Sequence, residues 1–428
     1  MAADEKDKQP RIFYGWYILG IGMMGVVMAA GTSQLFMSIM LKPLTAEFGW
    51  SRTAATGAIT AGTLMAGIVS IVFGRLADRY GPRLLTSLGA VATAGIYLAL
   101  TRLADLWHFY VVYIVGRVVA SNTMAKVVPN TAVVNWFRRM RGRALGLLAM
   151  ASPLGSSLLA ITGQYLIEHH GWRSVFYVFA GAILVLVAMP AVLMLRRRPE
   201  DMGLQPDGGS RSGSATSLKK NPAEDQEYSW KLKEAIRTPA LWLIISAIVI
   251  ALSVNAGIGF HQVAYYTDVG IAATAAVVAL SIYALSGAFA NAIWGFLTEQ
   301  FSERLLASLV MLLTAAAILY LQTIRSQTGA ITFAIFFGLT SRGEDTLVNI
   351  ILAQYYGRDS YGAIAGFVYP FHMLGLGLGP IVASVSFDLT GSYHAVFSFF
   401  VFAAVAASAC IWFAKKPVPP AGSQNTPR

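Results

Sequence analysis

The segment Gly74-Arg75-Leu76-Ala77-Asp78-Arg79-Tyr80-Gly81-Pro82-Arg83 lies between two long apolar runs, and a degraded copy of it returns 221 residues later as Gly295-Phe296-Leu297-Thr298-Glu299-Gln300-Phe301-Ser302-Glu303-Arg304. Gly49 and Gly270 keep the same spacing. The stretch beginning Arg141-Gly142-Arg143 returns as Tyr361-Gly362-Ala363 at an offset of 220, which continues from Gly155 to Gly375 and from Gly171 to Gly391. A change of loop length accounts for the one-residue drift. A chain that repeats itself at half its length must fold as two equivalent units, and apolar units of this kind build a membrane protein with a site between the repeats.

Only 12% of the 428 residues are charged and 56% are hydrophobic, with mean hydropathy +0.59. Soluble domains carry roughly 25% charged residues, so most of this chain belongs in lipid. About 20 apolar residues cross a bilayer as a helix. Twelve such runs occur, at 16–40, 53–75, 83–103, 108–134, 143–166, 173–195, 239–265, 273–297, 304–325, 329–353, 362–387 and 394–414. The first run lacks a small-residue cleavage site and reads as an anchor rather than a removed leader. The expected fold is an all-α membrane protein, with twelve transmembrane helices in two pseudo-symmetric six-helix bundles. Residues 1–198 form one bundle, 199–236 a linker rich in Gly, Ser and charge, and 237–428 the other. Within the linker, Tyr228–Ile236 reads as an amphipathic helix lying on the membrane surface.

The net charge of +11 is a matter of topology. With the N-terminus in the cytoplasm, 24 of the 32 Lys and Arg fall on the cytoplasmic side and five outside. This positive-inside asymmetry places both termini in the cytoplasm of a multi-pass inner (plasma) membrane protein. It also removes the case for nucleic acid as a partner, leaving lipid. Cys410 is the sole cysteine, so no internal disulfide and no thiol metal site can form. No metal and no cofactor are expected. No nucleophile motif, metal-ligand spacing or phosphate loop is present, so the chain reads as a non-enzyme.

At these residues the chain resembles the major facilitator superfamily. Gly74 to Arg83 is similar to that family's signature loop between helices 2 and 3, and Arg117 in Gly116-Arg117-Val118-Val119-Ala120 to its helix 4 arginine. Phe13-Tyr14-Gly15-Trp16-Tyr17, Glu47-Phe48-Gly49-Trp50-Ser51-Arg52, Trp136-Phe137-Arg138-Arg139-Met140-Arg141-Gly142, His261-Gln262-Val263 and Gly375 to Pro380 are similar to bacterial monocarboxylate and oxalate/formate carriers. Those carriers often place an arginine in helix 8. The eighth run here has no Lys or Arg, so anion binding falls to other residues. The resemblance implies that Gly74, Asp78, Arg79, Gly81 and Arg83, with Arg117, form a conformational latch in which Asp78 meets a helix end across the two halves. Lipid-phosphate anchoring by the arginines is the plainer reading of the loop.

An ionisable side chain inside a bilayer costs a few kcal/mol and marks a candidate site. Arg117 and Lys126 lie in the fourth run, and Arg342, Glu344 and Asp345 in the tenth, its repeat counterpart. Lys126 and Arg342 are candidate ligands of a carboxylate, Arg as a planar fork and Lys as a point charge. The alternative is an internal ion pair of Arg342 with Glu344 or Asp345. These adjacent acids point about 100° apart, so one is expected to balance Arg342 and the other to titrate. His261 is a third candidate for proton coupling, or a plain interfacial histidine. Gln34, Asn255, Tyr283, Tyr369 and His372 are candidate substrate contacts, on helices that line the cavity in the resembling family. The expected function is a monomeric secondary transporter moving a small, monocarboxylate-like organic anion with a proton by alternating access. The alternatives are an organic anion exchanger and a drug/proton antiporter of the same fold.

Overall fold

The computed structural model describes residues 13–208, 228 and 230–418. Among these residues helices and their connecting turns account for the chain, and no strand occurs. Lipid offers no partners for backbone polar groups, so every span must satisfy its own. Ten helices are long and apolar enough to cross a membrane. One of them, Arg52–Leu100, is two spans broken at Gly81 (φ 79, ψ 167), a conformation open essentially to glycine alone. A further helix, Gln327–Tyr356, spans 30 residues but has its apolarity lowered by Arg342, Glu344 and Asp345. Splitting the first and adding the second gives twelve spans.

These are α1 (Gly15–Ala29, continued after a break by Gln34–Phe48), α2 and α3 (the two parts of Arg52–Leu100), α4 (Leu106–Ala120, continued to Trp136), α5 (Arg141–His170) and α6 (Trp172–Ile183, continued to Met194). The second half holds α7 (Pro239–Asp268), α8 (Ala273–Leu297), α9 (Glu303–Leu321), α10 (Gln327–Tyr356), α11 (Tyr361–Thr390) and α12 (His394–Phe413). Side-chain N-caps open several of them, among them Ser51, Asp105, Ser302 and Ser326. The repeat pairs Gly49/Gly270 and Gly171/Gly391 all take positive φ in the turns after helices, which explains why these glycines keep their spacing.

The first and last described segments lie at the same, basic end of the bundle. Phe13 packs on Trp136 and Phe137, and the Tyr355 hydroxyl donates to the Ala414 carbonyl. Here the halves touch backbone to backbone along two glycine seams. Gly74 of α2 abuts Gly362 of α11, and Gly142 and Gly146 of α5 abut Gly295 of α8. A Cβ on Gly146 would stand 2.5 Å from the Asn291 carbonyl oxygen, and one on Gly366 the same distance from that of Ser70. The small-residue contact admits no larger side chain without parting the helices.

Those two faces can be followed up their helices at helical spacing. On α5 the face of Gly142 and Gly146 continues through Leu154, Leu158, Ile161 and Tyr165, all exposed. On α11 the face of Gly362 and Gly366 continues through Leu374, Leu378, Ile381 and Val385, also exposed. The same faces are thus covered at the basic end and bare at the other. The halves are closed at the basic end and apart at the far end.

The linker departs from expectation where it is described. Pro199–Gly208 is tied down: the Asp207 carboxylate accepts from the backbone N–H groups of Arg138, Arg139 and Met140. The predicted surface helix over Tyr228–Ile236 shrinks to one turn, Leu232–Ala235. Trp230 is buried against Tyr356 and donates its N–H to the Tyr356 carbonyl, and Ala235 is fully buried. The apolar side chains find protein rather than lipid, so this segment plugs into the bundle.

Candidate functional site

The fourth span is not a regular helix. A π-helical turn over Ser121–Ala125 inserts extra backbone, and Lys126 follows with φ −124, ψ −74. Such turns re-aim side chains and concentrate at functional positions. This one directs Lys126 across the interface, where its Nζ donates to Asp345 Oδ2 of α10 at 2.5 Å. The partners are 219 residues apart, as are Asn130 and Asn349 one turn nearer the basic end, which approach to 3.5 Å. Equivalent positions of the two halves therefore face each other, with opposite charges in the first pair.

Around this pair the other half supplies polar groups. His372 Nδ1 of α11 lies 3.4 Å from Asp345 Oδ1, and Asn349 donates to the Asp345 carboxylate at 3.3 Å. The Tyr369 hydroxyl meets Ser121 Oγ across the interface at 3.4 Å. Lys126, Asn130, Asp345, Asn349, Tyr369 and His372 line a pocket on the basic side of the pair.

Arg342 takes no part in an ion pair with either neighbour on its helix. Asp345 is engaged by Lys126, and Glu344 points elsewhere. Arg342 lies one turn nearer the open end than Asp345 and about 60° from it around α10. Its guanidinium sits 5.1 Å from the centroid of Tyr283, which is itself stacked on Phe337. The cation–π contact holds the group without consuming its N–H donors. Gly287 of α8 makes room for the Arg342 stem. Gly287, Asn291 and Gly295 share one face of α8, and the last two meet α5 of the other half. Arg342, which is exposed, therefore projects on the central side, above the level at which the halves close.

The remaining candidates separate. Glu344 is 2% exposed and bonded to Asn255 of α7 and Thr314 of α9, so Asn255 serves this internal knot. His261 is clamped between Tyr393, Ser384 and the Pro380 carbonyl, apart from the Lys126–Asp345 pair. The Gln34 side chain lies outside the described residues.

The candidate latch residues divide between contacts across the halves and outward-facing positions. Asp78 accepts from the backbone N–H of Gly362 (3.0 Å) and Ala363 (2.7 Å), at the N-terminus of α11. This is the helix-end contact the signature implied, stabilised by the positive helix terminus. Its counterpart Glu299 meets the start of α5 through Arg143 at 2.6 Å. Gly81 packs under the Arg197 stem, and Arg197 donates to the Asp78 carbonyl. Arg79 and Arg83 instead point outward, Arg79 over its neighbour Tyr80, and both are exposed. Arg117 is also outside the latch, on α4 beside Gly62 of α2 nearer the open end, with its buried Nε unbonded. The cations that do reinforce closure escaped sequence reading: Arg198 pairs with Asp359 and Arg358 with Glu200.

The sequence profile of the Major Facilitator Superfamily matches residues 22–277 and 256–428. Rat monocarboxylate transporter 12 is 26% identical over 307 residues, which span 67% of this chain and 62% of that protein. Rat monocarboxylate transporter 4 is 24% identical over 91% of this chain and 80% of its own. Among solved structures, the major facilitator transporter FucP in its outward conformation superposes with TM-score 0.72 at 12% identity, covering 94% of this chain and 99% of that one. With a profile match over both halves and the same fold, this chain belongs to the Major Facilitator Superfamily.

Proposed function

We propose that this carrier moves a small organic monoanion together with a proton, by alternating access of the cavity between its halves. The observation that carries the reading is Arg342: an exposed guanidinium on the central face, pinned among the described residues by an aromatic ring alone, one turn from a cross-half ion pair. Arg342, Lys126 and Asp345 sum to one positive charge in the empty cavity. A bound carboxylate cancels it, and a proton taken up at Asp345 restores it. The empty and fully loaded carriers then bear the same charge, while a carrier loaded with anion alone does not. The relatives named as monocarboxylate transporters support the anion assignment.

In this reading the carboxylate docks on the Arg342 fork. Protonation of Asp345 frees Lys126 as a second cation, with Tyr369 and His372 beside it. The basic end faces the cytoplasm, by the positive-inside rule, so the conformation described is open to the outside. Closing the far end requires the Asp78, Arg143–Glu299, Arg198–Asp359 and Arg358–Glu200 contacts to break. The protein works as a monomer, each half-pair enclosing its own cavity.

Thermal unfolding of the purified protein against a panel of short, hydroxy and aromatic carboxylates tests the anion assignment, because a ligand of the folded state raises its stability. A raised midpoint with at least one monocarboxylate, lost in Arg342→Ala, is the expected result. Equal stabilisation of wild type and variant would move the site elsewhere.

A further inference from the structure

Of the two adjacent acids on α10, one lies at the interface and the other is sealed inside the second half. Glu344 Oε2 accepts from Asn255 Nδ2 at 2.8 Å, and its Oε1 lies 2.8 Å from Thr314 Oγ1. No Lys, Arg or His faces it from α7 or α9 among the described residues; the groups opposite are Asn255 and Thr314. On its own helix Arg342 projects to the other side, about 160° away, and Asp345 carries the same sign of charge.

Counting protons decides its state. Both amide protons of Asn255 are committed, one to Glu344 and one to the Ser341 carbonyl at 3.1 Å. The Thr314 hydroxyl has one proton and two acceptor-side neighbours, the Val310 carbonyl at 3.0 Å and Glu344 Oε1. If Thr314 donates to Val310, its contact with Glu344 needs a proton from the carboxyl. A neutral acid gives each of these contacts a proton, with Asn255 Oδ1 the knot's one unpartnered atom among the described residues. A carboxylate would leave one contact without a proton and a buried charge without a counter-ion, both costly.

We propose that Glu344 is a positioning residue, a neutral carboxylic acid tying α10 to α7 and α9, and that Asp345 is the member of the pair that exchanges the transported proton. Asp345 has the surroundings such an exchange needs: Lys126 from α4, His372 from α11, Asn349 on its own helix, and Tyr361 and Tyr369 close by. The knot fixes the rotation of α10, and with it the placement of both Arg342 and Asp345. This assignment rests on the proton-coupled reading above.

The test compares wild type, Glu344→Gln and Asp345→Asn in proteoliposomes. It measures uptake of a carboxylate that stabilises the wild type, with an imposed pH gradient, and exchange of the same carboxylate without one. Gln reproduces the neutral acid, donating to Thr314 and accepting from Asn255. E344Q is expected to keep the gradient response within about twofold of wild type, while Glu344→Ala loses uptake and exchange together by about tenfold. D345N is expected to lose the gradient response. An E344Q protein that exchanges normally but ignores the gradient would overturn the proposal and make Glu344 the proton carrier. A wild type that ignores the gradient would instead refute the coupled reading. Infrared spectroscopy then tests Glu344 independently: a protonated-carboxyl C=O band present in wild type, constant across the pH range of transport and absent from E344Q. If E344Q does not fold, the band is sought in D345N, and its absence there contradicts the proposal.

Discussion

Lys126 and Asp345 stand at equivalent positions of the two halves, 219 residues apart, and join at 2.5 Å across the interface. A duplicated chain that placed the same residue at both positions would set like charges against each other. Opposite signs at the two positions make the contact an ion pair, with a pocket beside it. Each side chain remains about a quarter exposed, 30% and 26%, so the pair is held without being sealed.

Removing one partner should therefore cost more than removing both. Lys126→Ala leaves Asp345 with His372 and Asn349 but without its lysine counter-charge, and the loss is expected at about 2–4 kcal/mol, under the range for fully buried pairs. Adding Asp345→Asn should recover most of it. Thermal unfolding of the three variants in detergent checks the order; a double variant no more stable than Lys126→Ala would mean that the pair is not coupled.

Much of this was legible in the sequence because it follows from spacing. The twelve spans, the doubled architecture and the meeting of Asp78 with a helix end rest on hydropathy, on the 221-residue repeat and on the signature loop. The pairing of Lys126 with Asp345 was not, because it depends on a π-helical turn that no residue between Ser121 and Ala125 announces. Sequence reading offered Arg342 as a carboxylate ligand, with an ion pair to Glu344 or Asp345 as the alternative; the contact with Tyr283 from another helix was in neither. The Gly- and Ser-rich middle of the linker lies outside the described residues, while Asp207 and Trp230 are anchored on either side of it, contacts that its composition does not announce. The repeat offset does lead from Asp78 to Glu299, a signal that finds the second latch.

Arg342 offers its donors to the cavity, so charge alone should not replace it. Arg342→Ala is expected to weaken carboxylate binding about 10- to 100-fold, the loss of a charge-assisted hydrogen-bonded contact of about 1.5–3 kcal/mol. Arg342→Lys should recover only part, lacking the planar fork. Isothermal titration of each variant measures this; full affinity with Lys would show that a point charge suffices.

The two latches should differ in strength. Asp78 binds two backbone N–H groups at a helix start, whereas Arg143–Glu299 is a partly exposed pair of about 0–1 kcal/mol. Asp78→Ala should open the basic end far more than Glu299→Ala. Labelling of Thr298→Cys, a substitution of similar size that faces Gly142 beside the seam, in a Cys410→Ser background, reports the opening; equal labelling in both variants would refute the ranking.

At the far end Glu47 is bonded by Arg173 and Trp172, which hold its carboxyl below the usual carboxylate range. A depressed folded-state value means stability present above the ordinary carboxylate pKa and lost as the pH falls through the lowered one. The thermal midpoint of wild type should accordingly exceed that of Glu47→Gln at neutral pH, the difference should fade as the pH falls through the lowered value, and salt should shrink it because the pair is about 40% exposed. Thermal midpoints across an acid series, at low and high salt, give the comparison.

The most direct test of a proton-coupled carrier with its anion site at Arg342 is accumulation of a monocarboxylate in proteoliposomes under an imposed pH gradient, acid outside. Accumulation above equilibrium in wild type, collapsing with a protonophore and absent in Arg342→Ala, is what the account predicts. Uptake that ignores the gradient and requires a second anion inside, or that persists in Arg342→Ala, would contradict it.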